Sequence, residues 1–310
     1  MAGVSTSALE IKPSTRSSLL ATLRAAAPDF WALTKPEVNF LIVIATFTGF
    51  CLGLPRGLHA LPFGRLLNTL LGTLLVASGT GTLNQVLEHR FDARMRRTCG
   101  RPVAAGRVRP ANAAWFGIVL SIAGVLYLIV AVNALAGALA ALTLATYLFV
   151  YTPLKRRTPL CTFAGAFPGA MPPLIGWAAA SGSITSGRAW MIYALLFLWQ
   201  FPHFMAIAWM YREDYDRAGF LIFPKNSAAS FLGWLTFVQS VGLFIVGLKS
   251  AAANRGGILE FSAMAILGSG LLYYADRQVL LRSRIAARQL LKATIVYLPL
   301  QFLILVLGKS

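Results

Sequence analysis

Three oxygen-bearing side chains recur at four-residue spacing in the first third of the chain: Asn84, Glu88 and Asp92. On an α-helix such positions share one face, each step offset by about 40°. A stripe of hard oxygen donors suits a cation such as Mg²⁺. Seven arginines lie between positions 88 and 109. The competing reading is therefore plain charge pairing at a helix end, with Glu88 and Asp92 matched by Arg94, Arg96 and Arg97. A second acidic group, Glu213, Asp214 and Asp216, comes far later in the chain. Between the two lies Tyr151-Thr152-Pro153-Leu154-Lys155-Arg156-Arg157-Thr158-Pro159, a basic loop stiffened by prolines. It reads either as a membrane-surface anchor or, beside a metal-binding face, as a holder for an anion such as diphosphate.

His203 is the remaining candidate. It sits inside an apolar run, Trp199-Gln200-Phe201-Pro202-His203-Phe204, where an ionisable group points to function. Asp214 follows 11 residues later, which returns to within about 20° of the same helix face, with His203 roughly 16 Å deeper. Pro202 frees a backbone carbonyl one turn earlier. A neutral histidine bonded to that carbonyl, or to a neighbouring helix, is the structural alternative.

These residues need elements to hold them, and composition says what kind. The apolar set makes up 57% of the 310 residues and charged residues only 12%, about half the charge of an ordinary soluble domain. No soluble domain of this size hides so much apolar surface, so the solvent is a lipid bilayer. Nine apolar segments reach a spanning length of about 20 residues: 38–54, 66–87, 112–132, 134–152, 160–180, 189–211, 231–248, 257–275 and 292–308. The third and fourth are separated by a short break around Asn133. The fifth holds Pro168, Pro172 and Pro173, so a regular helix is excluded there. Broken backbone lining a cavity and close packing of small residues both fit it. With the N-terminus inside, the inner segments hold 22 of the 28 Lys and Arg and the outer ones six, a strong positive-inside pattern. Nine of the ten acids also lie inside. The net charge of +18 thus belongs to a membrane surface and an anionic substrate rather than to nucleic acid. Residues 1–27 read as a disordered cytoplasmic tail ahead of one intramembrane domain, 28–310. Three cysteines imply no disulfide framework.

Two carboxylate clusters on one membrane face could hold Mg²⁺ on a diphosphate, with a basic loop receiving the leaving group and an apolar cavity accepting a greasy tail. That combination points to isoprenoid transfer. The residues resemble the UbiA superfamily of intramembrane prenyltransferases, and within it the branch that farnesylates heme. Carrying the resemblance are Leu33-Thr34-Lys35-Pro36 and the run met by Asn84, Glu88, Asp92, Met95, Arg97, Thr98, Arg101 and Pro102. So do the loop at 151–156, the stretch at 169–177, Trp199-Gln200-Phe201-Pro202-His203-Phe204, and Asp214-Tyr215 with Ala218-Gly219. Position 88 is Glu where many members carry Asp.

The resemblance implies an all-α bundle of nine transmembrane helices in the cell inner membrane, with its site on the cytoplasmic side. It implies farnesyl diphosphate as donor, heme B as acceptor and heme O as product, with a heme A synthase as the candidate protein partner. Asn84, Glu88, Asp92 and Asp214 would hold Mg²⁺. Lys155, Arg156 and Arg101 would stabilise the departing diphosphate, with Arg97, Tyr151 and Gln200 lining the site. His203 would bind or orient the heme as a candidate axial ligand; His89 is the weaker candidate. The alternatives are a prenyltransferase for a quinone precursor, an anion transporter and a non-catalytic heme chaperone. A transporter would place its site at the midplane, whereas these acids lie at one interface.

Overall fold

A computed structural model of the chain describes residues 26–55, 58–221, 229–253 and 256–309. Most of the predicted tail, 1–25, lies outside them. All regular structure among the described residues is helical. A short helix α1 covers 26–33. It is followed by α2 (Pro36–Gly53), α3 (Phe63–Asp92), α4 (Pro110–Ala131), α5 (Ala134–Ala145), a π-helical turn (Thr146–Tyr151) and α6 (Thr152–Leu154). Next come α7 (Cys161–Gly169), α8 (Met171–Ser181), α9 (Gly187–Met210), α10 (Arg212–Ala218), α11 (Ala229–Ala252), α12 (Gly257–Leu281) and α13 (Arg284–Leu307).

Eight helices among the described residues are long and apolar enough to cross a membrane. The ninth of the expected spans is the interrupted one. The predicted span 160–180 is two short helices, α7 and α8, that meet at Ala170. Pro172 and Pro173 stand at the start of α8, where a missing N–H breaks no helical hydrogen bond. The predicted break at Asn133 is present. Asn133 caps α5 by accepting from the Ala136 N–H at 2.8 Å, and its own amide donates to the Ala178 carbonyl of α8 at 2.9 Å.

The side chains are distributed as lipid demands. Val130, Phe149, Ile258 and Ile266 point outward, while Thr46, Ser121, Gln200 and Thr294 are buried. Without a hydrophobic drive between helices, association relies on close contact and interhelical hydrogen bonds. Helix α2 packs on α3, α8 and α13; α9 packs on α7, α11 and α13. The α2–α8 seam is the tightest: a Cβ on Gly176 would strike the Thr46 carbonyl, and one on Gly49 would strike the Pro173 carbonyl. The proline-rich span thus breaks as its prolines imply, and its far half packs on α2 through glycine.

Several helix ends overrun the apolar segments, α12 reaching Leu281 and α11 Ala252. Helix α3 continues beyond the predicted 87 to Asp92, so the whole Asn84–Glu88–Asp92 stripe is helical. Helix α13 begins at Arg284, eight residues before the predicted span, where Ser283 accepts from the Ala286 N–H at 3.1 Å.

Gly176→Ala is expected to lower stability by about 1–3 kcal/mol through overpacking at the α2–α8 seam. Gly64→Ala, whose added methyl meets nothing within 4 Å, serves as the control. Thermal unfolding of the detergent-purified protein measures the difference.

Candidate active site

The C-terminal end of α3 organises the site. Asn84, Glu88 and Asp92 are 1%, 5% and 2% exposed, and each faces a cation from elsewhere in the chain. Lys35 Nζ donates to Asn84 Oδ1 at 2.8 Å. Lys155 Nζ lies 2.8 Å from one Glu88 oxygen and 3.1 Å from the other. Arg101 donates to Asp92 Oδ2 at 2.7 Å. The pairing of Glu88 and Asp92 with Arg94, Arg96 and Arg97 is thus corrected. Those three arginines are exposed, since side chains just past a helix end turn to water while buried carboxylates draw partners across the fold.

Local structure aims each cation. Lys35 adopts a left-handed conformation (φ 55°) between α1 and α2, which turns it back toward α3. Its burial, with Arg101 and Lys155 nearby, pushes its pKa down to about 7. Lys155 follows the π-helical turn, a feature common at functional sites. The turn sets Tyr147 edge-on to Tyr151, ring centroids 5.0 Å apart, and Lys155 Nζ sits 4.5 Å from the Tyr151 ring centre. Burial, the largest influence, lowers the Lys155 pKa, but the Glu88 carboxylate together with Tyr151 and Tyr147 outweighs it and holds the ammonium well above the usual lysine range. The exposed Arg156 lies 4.9 Å over the Phe91 ring of α3.

The second acidic cluster reduces to Asp214, which is buried, whereas Glu213 and Asp216 are exposed. Asp214 accepts from the Arg97 backbone N–H at 3.2 Å and pairs with Arg217. The next residue in that turn, Thr98, donates to the Asp92 carbonyl at 3.0 Å. One turn, Arg97–Thr98, therefore links the two acidic helix segments. The Arg97 guanidinium reaches Tyr215 Oη at 3.4 Å.

Other candidates stand apart. Gln200 Nε2 donates to the Ala166 and Leu196 carbonyls at 3.0 and 3.2 Å, tying α9 to the broken span. The His89 ring bonds the Val86 carbonyl of its own helix at 2.7 Å. His203 contacts α9 and α13 instead of the carboxylates. Its Nδ1 is 2.9 Å from Thr294 Oγ1, and the Trp199 ring stacks on it at 4.6 Å. Of the two structural alternatives for His203, the neighbouring helix is the one present. Lys35 and Thr294 were not read as site residues. Lys35 stood in the Leu33–Pro36 motif; Thr294 gave no signal in an apolar helix.

Among the described residues no three acidic, His or Cys side chains converge as a ready-made metal cage. That fits Mg²⁺, which takes one or two carboxylates together with substrate phosphates. Asn84, Glu88 and Asp92 supply buried oxygens on one face, and the cations now holding them are the groups an incoming diphosphate would take over.

Residues 42–303 match the UbiA prenyltransferase family. The chain belongs to that family. It is 43% identical over 293 residues to the protoheme IX farnesyltransferase of Solibacter usitatus, covering 91% of this chain and 98% of that one. It is 40% identical to the enzyme of that name from Salinibacter ruber, covering 87% and 95%. Among solved structures it resembles a digeranylgeranylglyceryl phosphate synthase, with TM-score 0.73 and 13% identity over 92% of this chain and 99% of that one. It also resembles an Archaeoglobus fulgidus UbiA homologue bound to GPP and Mg²⁺, with TM-score 0.59 and 13% identity over 89% and 99%. Both structural likenesses concern the fold.

Lys155→Met strands the Glu88 charge and is expected to destabilise the ligand-free protein by about 3 kcal/mol. Adding Glu88→Gln should recover most of that loss, because neither side chain then leaves a lone buried charge. A double-mutant cycle in thermal or denaturant unfolding measures the coupling.

Proposed function

We propose that the chain transfers the farnesyl group of farnesyl diphosphate to a vinyl group of heme B, with addition of water, giving heme O and diphosphate. The observation that carries the transferase half is the buried array in which Asn84, Glu88 and Asp92 each meet a lysine or arginine at the C-terminal end of α3. The acceptor half is supported by the relatives named protoheme IX farnesyltransferase and by His203, an imidazole held deep in the bundle.

Mg²⁺, when bound, supplies charge neutralisation of the diphosphate oxygens; Asn84, Glu88, Asp92 and Asp214 are the residues that would hold it. Lys155 and Arg101 are fixed charges in a partly dry site, where they stabilise developing negative charge more than they would in water, and Lys35 adds a donor at Asn84. Arg156 and Arg97 stand at the exposed rim, and Tyr151 presents its ring beside Lys155. The allylic C–O bond breaks, its electron pair leaves with diphosphate, and the vinyl carbon attacks the farnesyl cation. Water then adds to the cation beside the porphyrin and loses a proton. The positive-inside pattern supports a site on the cytoplasmic side of the inner membrane, and a heme A synthase is the fitting consumer of the product.

Membranes containing the protein, given heme B, farnesyl diphosphate and Mg²⁺, should form a heme heavier by farnesyl plus water. Asp92→Asn and chelation of Mg²⁺ should each abolish it, as chromatography and mass measurement will read. Unchanged heme B alongside a prenylated quinone precursor would refute the acceptor assignment.

A further inference from the structure

The surroundings of His203 fix more than its position. Thr294 lies on α13, fully buried, and its hydroxyl donates to the Leu291 carbonyl at 2.7 Å. A threonine hydroxyl has one proton. With that proton on Leu291, the oxygen can only accept from the imidazole nitrogen 2.9 Å away. The His203 proton therefore sits on Nδ1. The opposite assignment turns the threonine proton onto Nδ1 and forfeits the bond that the hydroxyl makes to the Leu291 carbonyl at 2.7 Å, leaving a buried hydroxyl with one partner in place of two. Thr294 acts a second time through its backbone: its carbonyl accepts from Trp199 Nε1 at 2.8 Å, and the Trp199 ring stacks on His203 at 21° between planes. One residue of α13 thus holds the ring by its edge and, through Trp199, by its face.

We propose that Thr294 is a positioning residue for the heme substrate. It holds His203 as the Nδ1–H tautomer, so that Nε2, which has no hydrogen-bond partner among the described residues, presents its lone pair to the heme iron. A ligating histidine ordinarily donates its other ring N–H to a fixed acceptor, and loss of that acceptor weakens metal binding by 10–100-fold. The inference rests on heme as the acceptor substrate, and its test separates the two.

Hemin is titrated into the full-length protein in detergent, following the Soret band and the affinity. Thr294→Val, nearly equal in volume, should weaken hemin binding about tenfold and alter the ligand-field spectrum. Thr294→Ser, which keeps the hydroxyl, should restore both, and His203→Ala should lose the histidine-ligated spectrum. A Thr294→Val protein that binds hemin like the wild type overturns the inference, as does a His203→Ala protein with an unchanged spectrum. So does a Thr294→Ser protein as impaired as Thr294→Val, since a structural hydroxyl-independent role would then suffice. Failure of the wild type to bind hemin, with farnesyl diphosphate binding intact, would instead refute heme as substrate and the inference with it.

Discussion

Carboxylates at the edge of a bilayer have few stable options, and the Glu88–Lys155 pair is the one on which this architecture turns. The two residues are 67 positions apart, and neither could remain charged in its place without the other. Their contact joins the ends of two spans and sets where the basic loop lies. The Asp92–Arg101 and Asn84–Lys35 contacts do the same for the loop after α3 and for the entry to α2. Because breaking a buried pair exposes a lone charge to low dielectric, these links hold the same ends of several helices together, beside small apolar clusters such as Met95 with Ala218 and Phe220. They also make the site exchangeable. A bound anion and its cation can substitute for each partner without leaving any charge alone.

The opposite demand governs the middle of the bundle. There, close approach replaces ion pairing, through the glycine seam of α2 and α8 and through single hydrogen bonds such as Asn133 to Ala178. The break at Ala170 divides these two regimes. Gln200 reaches across to the carbonyl of Ala166 just before it, so the interrupted helix is braced from α9 at the place where its own continuity fails.

Much of this was legible in the residues. Apolar run length gave the crossings, and the period-four oxygens gave the face of α3. Three proline positions foretold an interrupted span. Illegible parts were those decided by tertiary proximity. Sequence neighbourhood favoured Arg94, Arg96 and Arg97 as partners for the acids, but the turns past α3 leave those three exposed and bring Arg101 back to Asp92 instead. Thr294 is one polar residue in an apolar helix, and nothing local distinguishes it from a threonine bonded to its own backbone. Helix ends also escaped hydropathy, because α3 and α13 extend past the lipid into the charged layer.

The π-helical turn at 146–151 has a consequence for how this chain tolerates change in length. Such a turn closes its hydrogen bonds one residue further along than an α-turn, so α5 carries a single surplus residue in reserve. Deleting one residue there would let the helix relax to ordinary winding with little change beyond it, whereas deleting one from the regular part of α5 would rotate everything beyond it by about 100°. Only the second deletion would swing Lys155 away from Glu88, although both leave the apolar composition of the span nearly unchanged. The register of the basic loop is thus stored in the winding of the preceding helix, and a hydropathy profile would record nothing of its loss.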